Sequence, residues 1–259
     1  MITFKDLQEG VYDPNIFKAF FLAGGPGSGK SYVVRRTTGG LGMRIVNSDD
    51  TFEKLIKDAN LSLKMPDHEF SAREPLRQRS KEITKRKQKN YIEGRIGLII
   101  DGTGKDFEKI TRQARELENL GYDTHMIFVN TSLDVALIRN AERSRSVPEP
   151  IVTQAWKDVQ KNIGKFNNFF KANFIIVDNN DAKEDVFTAV FKRVVQMAKK
   201  KVTNKRAQQW MDMELKRKAE GERGTLGPGR VTTSRRQKIE PKKAAELEKS
   251  RLKQFLRRT

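Results

Sequence analysis

The sequence predicts an α/β fold: a five-stranded parallel sheet flanked by helices, followed by a basic C-terminal tail. Three observations predict it. Short apolar runs alternate with longer helical patterns between residues 17 and 200, as in a parallel sheet covered on both faces. A glycine-rich phosphate-loop motif joins the first apolar run to the first helical one. The charge then shifts near residue 200. The chain carries +19 overall, and residues 199–259 hold twenty Lys/Arg against seven Asp/Glu. The chain therefore divides into residues 1–200, the globular domain, and residues 201–259, a tail read as partly helical or disordered.

The first strand is Phe17 to Ala23, a short and mostly apolar run. Gly24-Gly25-Pro26-Gly27-Ser28-Gly29-Lys30-Ser31 follows and fits G-x-x-x-x-G-K-[ST]. Tyr32 to Arg36 opens a helix, so the motif sits in the strand–loop–helix context it needs. Met43 to Asn47 forms the second strand, and a helix starts at Thr51. One of Asp49 and Asp50 is expected to cap that helix, since Asp is a favoured N-cap. Residues 57–93 are polar and helical in pattern, broken at Met65-Pro66-Asp67 and at Glu74-Pro75. Arg73, Arg77, Arg79, Lys81, Lys85, Arg86, Lys87 and Lys89 make this insert basic.

Gly97 to Asp101 is the third strand, and Phe107 to Leu120 is an amphipathic helix stopped by Gly121. Thr124 to Asn130 is the fourth strand. Thr131 or Ser132 caps a helix over 133–143, and Ser144 to Pro150 is a loop. Ile151 to Phe170 resumes as one helix, Asn173 to Val177 is the fifth strand, and Ala182 to Lys200 closes the domain. Beyond it, 203–220 is helical, 221–241 is a glycine- and proline-bearing linker, and 240–258 is a basic helix ordered on a partner.

Composition narrows the chemistry. With no cysteine in 259 residues, disulfides, thiolate metal sites and cysteine nucleophiles are excluded. No apolar signal region or membrane-length run occurs, so a cytoplasmic protein is expected, in the host cell if phage-encoded. The basic tail suggests a nucleic acid or nucleoprotein partner.

The site residues follow from the motif and the strand ends. The glycines let backbone N–H groups of residues 24–29 close around phosphates, with the helix N-terminus behind them. Lys30 reaches the β- and γ-phosphates of ATP, and the Ser31 hydroxyl holds Mg²⁺. Asp101, ending an apolar strand, meets Mg²⁺ through water. Right-handed crossovers bring all strand C-termini to one edge, which gathers this loop, Asp49 and Asp101. A carboxylate after the second strand can take a proton from an attacking hydroxyl, and either Asp49 or Asp50 fits by register. Arg139, Arg143 and Arg145 on a lid can stabilise a transferring phosphoryl group. Loop, carboxylate and lid together point to a kinase.

Residues 24–31, Asn47-Ser48-Asp49-Asp50, Ile100-Asp101-Gly102-Thr103, and Arg139 to Arg143 with Val147-Pro148 resemble the phage-type polynucleotide 5′-kinases and the related zeta-toxin-like P-loop kinases. The resemblance runs from about residue 18 to residue 180. It implies a P-loop NTPase fold of the adenylate-kinase-like kind, with ATP and Mg²⁺. It implies that Asp49 is the general base, and that Lys30 and Arg143 stabilise the transferred group with Arg139 nearby. Polynucleotide kinases carry an arginine three positions after the base, where this chain has Phe52. Three functions fit these residues: a kinase of a DNA or RNA 5′-hydroxyl, a kinase of a small molecule such as a nucleotide sugar, and a nucleotide-binding protein that docks to a nucleoprotein or virion assembly.

Overall fold

Five parallel strands form one sheet in the order β2-β3-β1-β4-β5 in the computed structural model. They are β1 (Lys18–Ala23), β2 (Arg44–Val46), β3 (Leu98–Asp101), β4 (Asp123–Asn130) and β5 (Phe174–Asp178). The structure describes residues 10–38, 40–143, 147–181 and 184–219. The expected linker at 221–241, the expected helix at 240–258 and Arg145 lie outside the described residues. Every described residue belongs to the compact unit Met1–Gly227.

Strand β1 is central, and all six of its residues are buried. That is why it reads as a nearly unbroken apolar run. Its exception, Lys18, pairs across the sheet with Asp123, its register partner on β4. Alternate side chains feed two apolar layers. Phe21 and Ala23 join Leu98, Phe128, Phe166 and Phe170 on one face. Phe20 and Leu22 join Ile99, Ile127, Val177 and Val194 on the other.

Helices α1 (Lys30–Thr38) and α8 (Glu184–Lys199) cover the second layer. Helices α4 (Phe107–Asn119) and α7 (Ile163–Phe170) cover the first. Helix α9 (Lys205–Ala219) also lies against the first layer, with Ala207 fully buried and Trp210 edge-on to Phe17 at 5.5 Å.

Three segments differ from the sequence reading. Helix α2 (Ser48–Asp58) starts three residues early, because Asn47 caps it by accepting from the Asp49 N–H at 2.7 Å. Neither Asp49 nor Asp50 is the cap. Helix α3 (Phe70–Glu93) runs through Pro75 without a break. The proline lies in the second turn, so only one interior hydrogen bond is lost. The stretch read as one helix from 151 to 170 is two, α6 (Glu149–Gln160) and α7. Between them Asn162 turns its amide to the Gly104 and Lys105 carbonyls at 3.1 and 2.9 Å. The remaining helix, α5 (Leu133–Ala141), is capped by Ser132.

Candidate active site

The order of strands reverses direction about β1, so the crevice beyond its C-terminal end is where an α/β sheet receives a ligand. The phosphate loop fills that point. Gly24 donates to the Thr103 carbonyl at 3.0 Å, tying the loop to the turn after β3. Gly27 has φ +76°, and a Cβ there would lie 2.0 Å from the Ala136 carbonyl oxygen. Gly29 has φ +81°, and a Cβ there would lie 2.4 Å from Asn179 Nδ2. Neither position accepts a side chain. Asn179 in turn donates to the Ser28 carbonyl at 2.8 Å. Helix α1 begins at Lys30 itself, so its first N–H groups open onto the loop.

Lys30 Nζ donates to the Gly24 and Gly25 carbonyls at 2.6 and 3.3 Å. Burial holds its ammonium below the ordinary lysine range; Asp101 and Asp49 oppose that shift and Arg143 adds to it. These four residues, from four different segments, therefore share one electrostatic site. Ser31 stands beside Lys30 in the first turn of α1 and is exposed.

Asp101 ends β3. Its Oδ2 accepts from Asn47 Nδ2 at 3.0 Å, while its buried Oδ1 has no hydrogen-bond partner among the described residues. Burial pushes this carboxyl above the usual range; Lys30 counters that, and Asp49 and Asp50 raise it further. A buried, orphaned carboxylate oxygen facing a phosphate loop fits a hydrated divalent cation, whose ligands are oxygens. Asp49 and Asp50 lie in the first turn of α2. Both act on Asp101, and Asp49 acts on Lys30 as well.

The arginines separate. Arg143 follows α5, is exposed, and acts on Lys30. Arg139, one turn earlier, directs Nη1 and Nη2 to the Asn179 and Asn180 carbonyls at 2.6 and 3.1 Å. It thereby walls a cavity of about 290 Å³ lined by Gly29, Tyr32, Arg139, Asn179, Asp181 and Phe187. The Tyr32 and Phe187 rings meet edge to face at 5.3 Å. Strand order alone brings the loop after β5 to this edge, and Tyr32, Asn179, Asp181 and Phe187 are not among the residues that the motifs single out. The signal was there in part, since Tyr32 directly follows the motif and Asn179 directly follows the last strand.

Several solved structures are similar to this chain. The solved complex of AvrRxo1-ORF1 and -ORF2 with ATP is similar in fold, with a TM-score of 0.51 and 14% identity, over 72% of this chain and 65% of that one. A gluconokinase from Sinorhizobium meliloti 1021 matches at a TM-score of 0.45 and 12% identity, over 71% of this chain and 94% of that one. A chain of the Pnkp1/Rnl/Hen1 RNA repair complex matches at 0.45 and 19% identity, over 58% and 46%. No curated protein gives a significant sequence match. The family model for zeta toxins matches residues 8–190, which takes in every strand, the phosphate loop, both candidate carboxylates and the arginines after β4. The chain therefore belongs to the zeta toxin family and is a P-loop phosphotransferase of that group, an ATP-dependent kinase.

Proposed function

We propose that this kinase transfers the γ-phosphate of ATP to the 5′-hydroxyl of a nucleic acid end. The observation that carries the reading is the helix pair above the site. Helix α2 presents Asp49 toward Lys30 and Asp101, and α3, packed on α2, holds eight Lys/Arg against three Glu. A polyanionic acceptor suits that surface.

In this reading the loop amides of residues 24–29 and the α1 N-terminus bind the triphosphate. The base lies in the cavity between Tyr32, Phe187 and the Arg139–Asn179 wall. Lys30 exchanges the Gly24 and Gly25 carbonyls for β- and γ-phosphate oxygens. Ser31 and Asp101 would hold Mg²⁺, which when bound neutralises phosphate charge. Asp49 takes the proton of the acceptor hydroxyl as its oxygen bonds to the γ-phosphorus. The bond from that phosphorus to the β,γ-bridging oxygen breaks, and ADP leaves with the electron pair. Arg143 neutralises charge on the group in flight.

A second reading, a small-molecule acceptor such as a nucleotide sugar, is favoured by Phe52 and by the zeta toxin match. The deciding assay is γ-phosphate transfer to a 5′-hydroxyl oligonucleotide, beside nucleotide sugars. Asp49→Ala is expected to lose transfer by about 10²- to 10⁴-fold while ATP still binds, and Asp50→Ala to retain it. An oligonucleotide left unphosphorylated by the wild type, with a nucleotide sugar phosphorylated, would replace the first reading by the second.

A further inference from the structure

Helices α2 and α3 pack on one another, and the first half of α3 stands beyond the strand ends. Thr84 Oγ1 donates to the Asn47 carbonyl at 3.4 Å, so α3 passes the end of β2 at that level. From there α3 descends to the strand starts, where the Arg95 carbonyl accepts from the Phe17 N–H at 2.8 Å. Arg77 precedes Thr84 by seven residues, which places it about 10 Å beyond the sheet edge. Phe52, on α2, is 1% exposed, and the Arg77 guanidinium lies 4.7 Å from its ring centroid. Asp49 and Phe52 are three apart on α2 and share a face. Arg77 therefore stands about one helical turn from Asp49, on the outer side of the site.

Its hydrogen bonding sets it apart. Four arginines are half-buried among the described residues: Arg73, Arg77, Arg95 and Arg139. Arg73 donates to the Pro66 carbonyl, Arg95 to the Ile92 carbonyl, and Arg139 to those of Asn179 and Asn180. Among the described residues, no acceptor meets the guanidinium of Arg77, which only stacks on Phe52. Stacking fixes the plane of the group and leaves its donor fork open. A partly desolvated fork beside a site that handles phosphate is suited to two parallel bonds to one phosphate.

We propose that Arg77 is an acceptor-binding and specificity-determining residue, gripping a phosphate that neighbours the hydroxyl to be phosphorylated. The inference rests on the assignment of Asp49 to the acceptor side. It fits a nucleic acid end, through the phosphate 3′ to the terminal nucleoside, and equally the diphosphate of a nucleotide sugar.

The test uses the full chain as wild type, Arg77→Gln and Arg77→Lys. Acceptors are a nucleoside 3′-monophosphate, the same nucleoside without phosphate, and a nucleotide sugar. On whichever phosphate-bearing acceptor the wild type uses, Arg77→Gln is expected to lower kcat/KM about 10- to 100-fold. The KM for ATP stays within about twofold, and the phosphate-free nucleoside shows no added loss. Arg77→Lys recovers part of the loss, since it keeps the charge without the fork. Which acceptor responds identifies the source of the phosphate. An unchanged kcat/KM, or an equal loss with and without the acceptor phosphate, overturns the proposal. If the wild type transfers to none of the three, the kinase reading above fails separately. Equilibrium binding of the two phosphate-bearing compounds to ADP-loaded protein then decides. Binding weakened about tenfold or more in Arg77→Gln supports the role of Arg77, and equal or absent binding overturns it.

Discussion

His125 shows what a single residue contributes when it has no task in the site. It lies on β4, 2% exposed, with its ring stacked on Phe20 at a centroid distance of 4.7 Å. Neither ring nitrogen has a hydrogen-bond partner among the described residues. Burial, reinforced by the charge of Lys18, pushes its pKa from 6.5 down to about 4. The unfolded chain thus takes up this proton near pH 6.5 and the folded chain only near pH 4. Stability is fully present above the higher value and falls as the pH drops between the two, by about 2 kcal/mol at pH 5. His125→Leu removes both the titration and two unpaired polar atoms. It is expected to match or exceed the wild type in urea midpoint at pH 7.5 and to lose less between pH 7.5 and pH 5. Parallel pH profiles of wild type and variant would contradict the assignment.

At the scale of the element, the start of α2 decides whether the carboxylates meet. Asn47 caps the helix with Oδ1 and holds Asp101 with Nδ2, so one side chain sets both acidic groups of the site. Asn47→Ala is expected to cost about 1 kcal/mol of stability through the lost cap. Asn47→Ser keeps a capping oxygen, but its shorter side chain cannot reach Asp101 while it caps, so its stability should stay close to wild type while kcat falls about tenfold. The pair separates positioning from folding, and equal activity in wild type and Asn47→Ser would show that the Asp101 contact is dispensable. This junction also marks how far the sequence could be read. Asn47, Ser48, Asp49 and Asp50 are all good caps, so composition does not choose among them, and the pattern alone starts the helix at Thr51. The five strands were legible because each is a short apolar run. The break at Asn162 was not, since the helical pattern continues on both sides and the partners of Asn162, Gly104 and Lys105, are almost sixty residues away. The phosphate loop, Asp49 and Asp101 could be anticipated from local motifs. The cavity wall of Arg139 and Asn179 depends on a long-range contact with backbone carbonyls, which no local pattern records.

The whole molecule carries its charge unevenly, and that bears on how an acceptor is captured. Residues 220–259 contain twelve Lys/Arg and five Asp/Glu, a surplus of seven out of a total of +19. Charges of this kind are expected to add a sequence-independent grip on a polyanion, apart from the chemistry of phosphoryl transfer. Replacing Lys242, Lys243, Lys249, Arg251 and Lys253 with glutamine in the full chain tests the separation. If each contacts a phosphate of single-stranded nucleic acid, the slope of log K against log salt should become shallower by about 3.5 units. Transfer to an acceptor too short to reach beyond the site, such as a nucleoside 3′-monophosphate, should be unaffected, because none of the five residues belongs to the proposed site. An unchanged slope would assign the salt dependence of binding to α3 and the phosphate loop. A loss of transfer to the short acceptor would show instead that the tail takes part in the site.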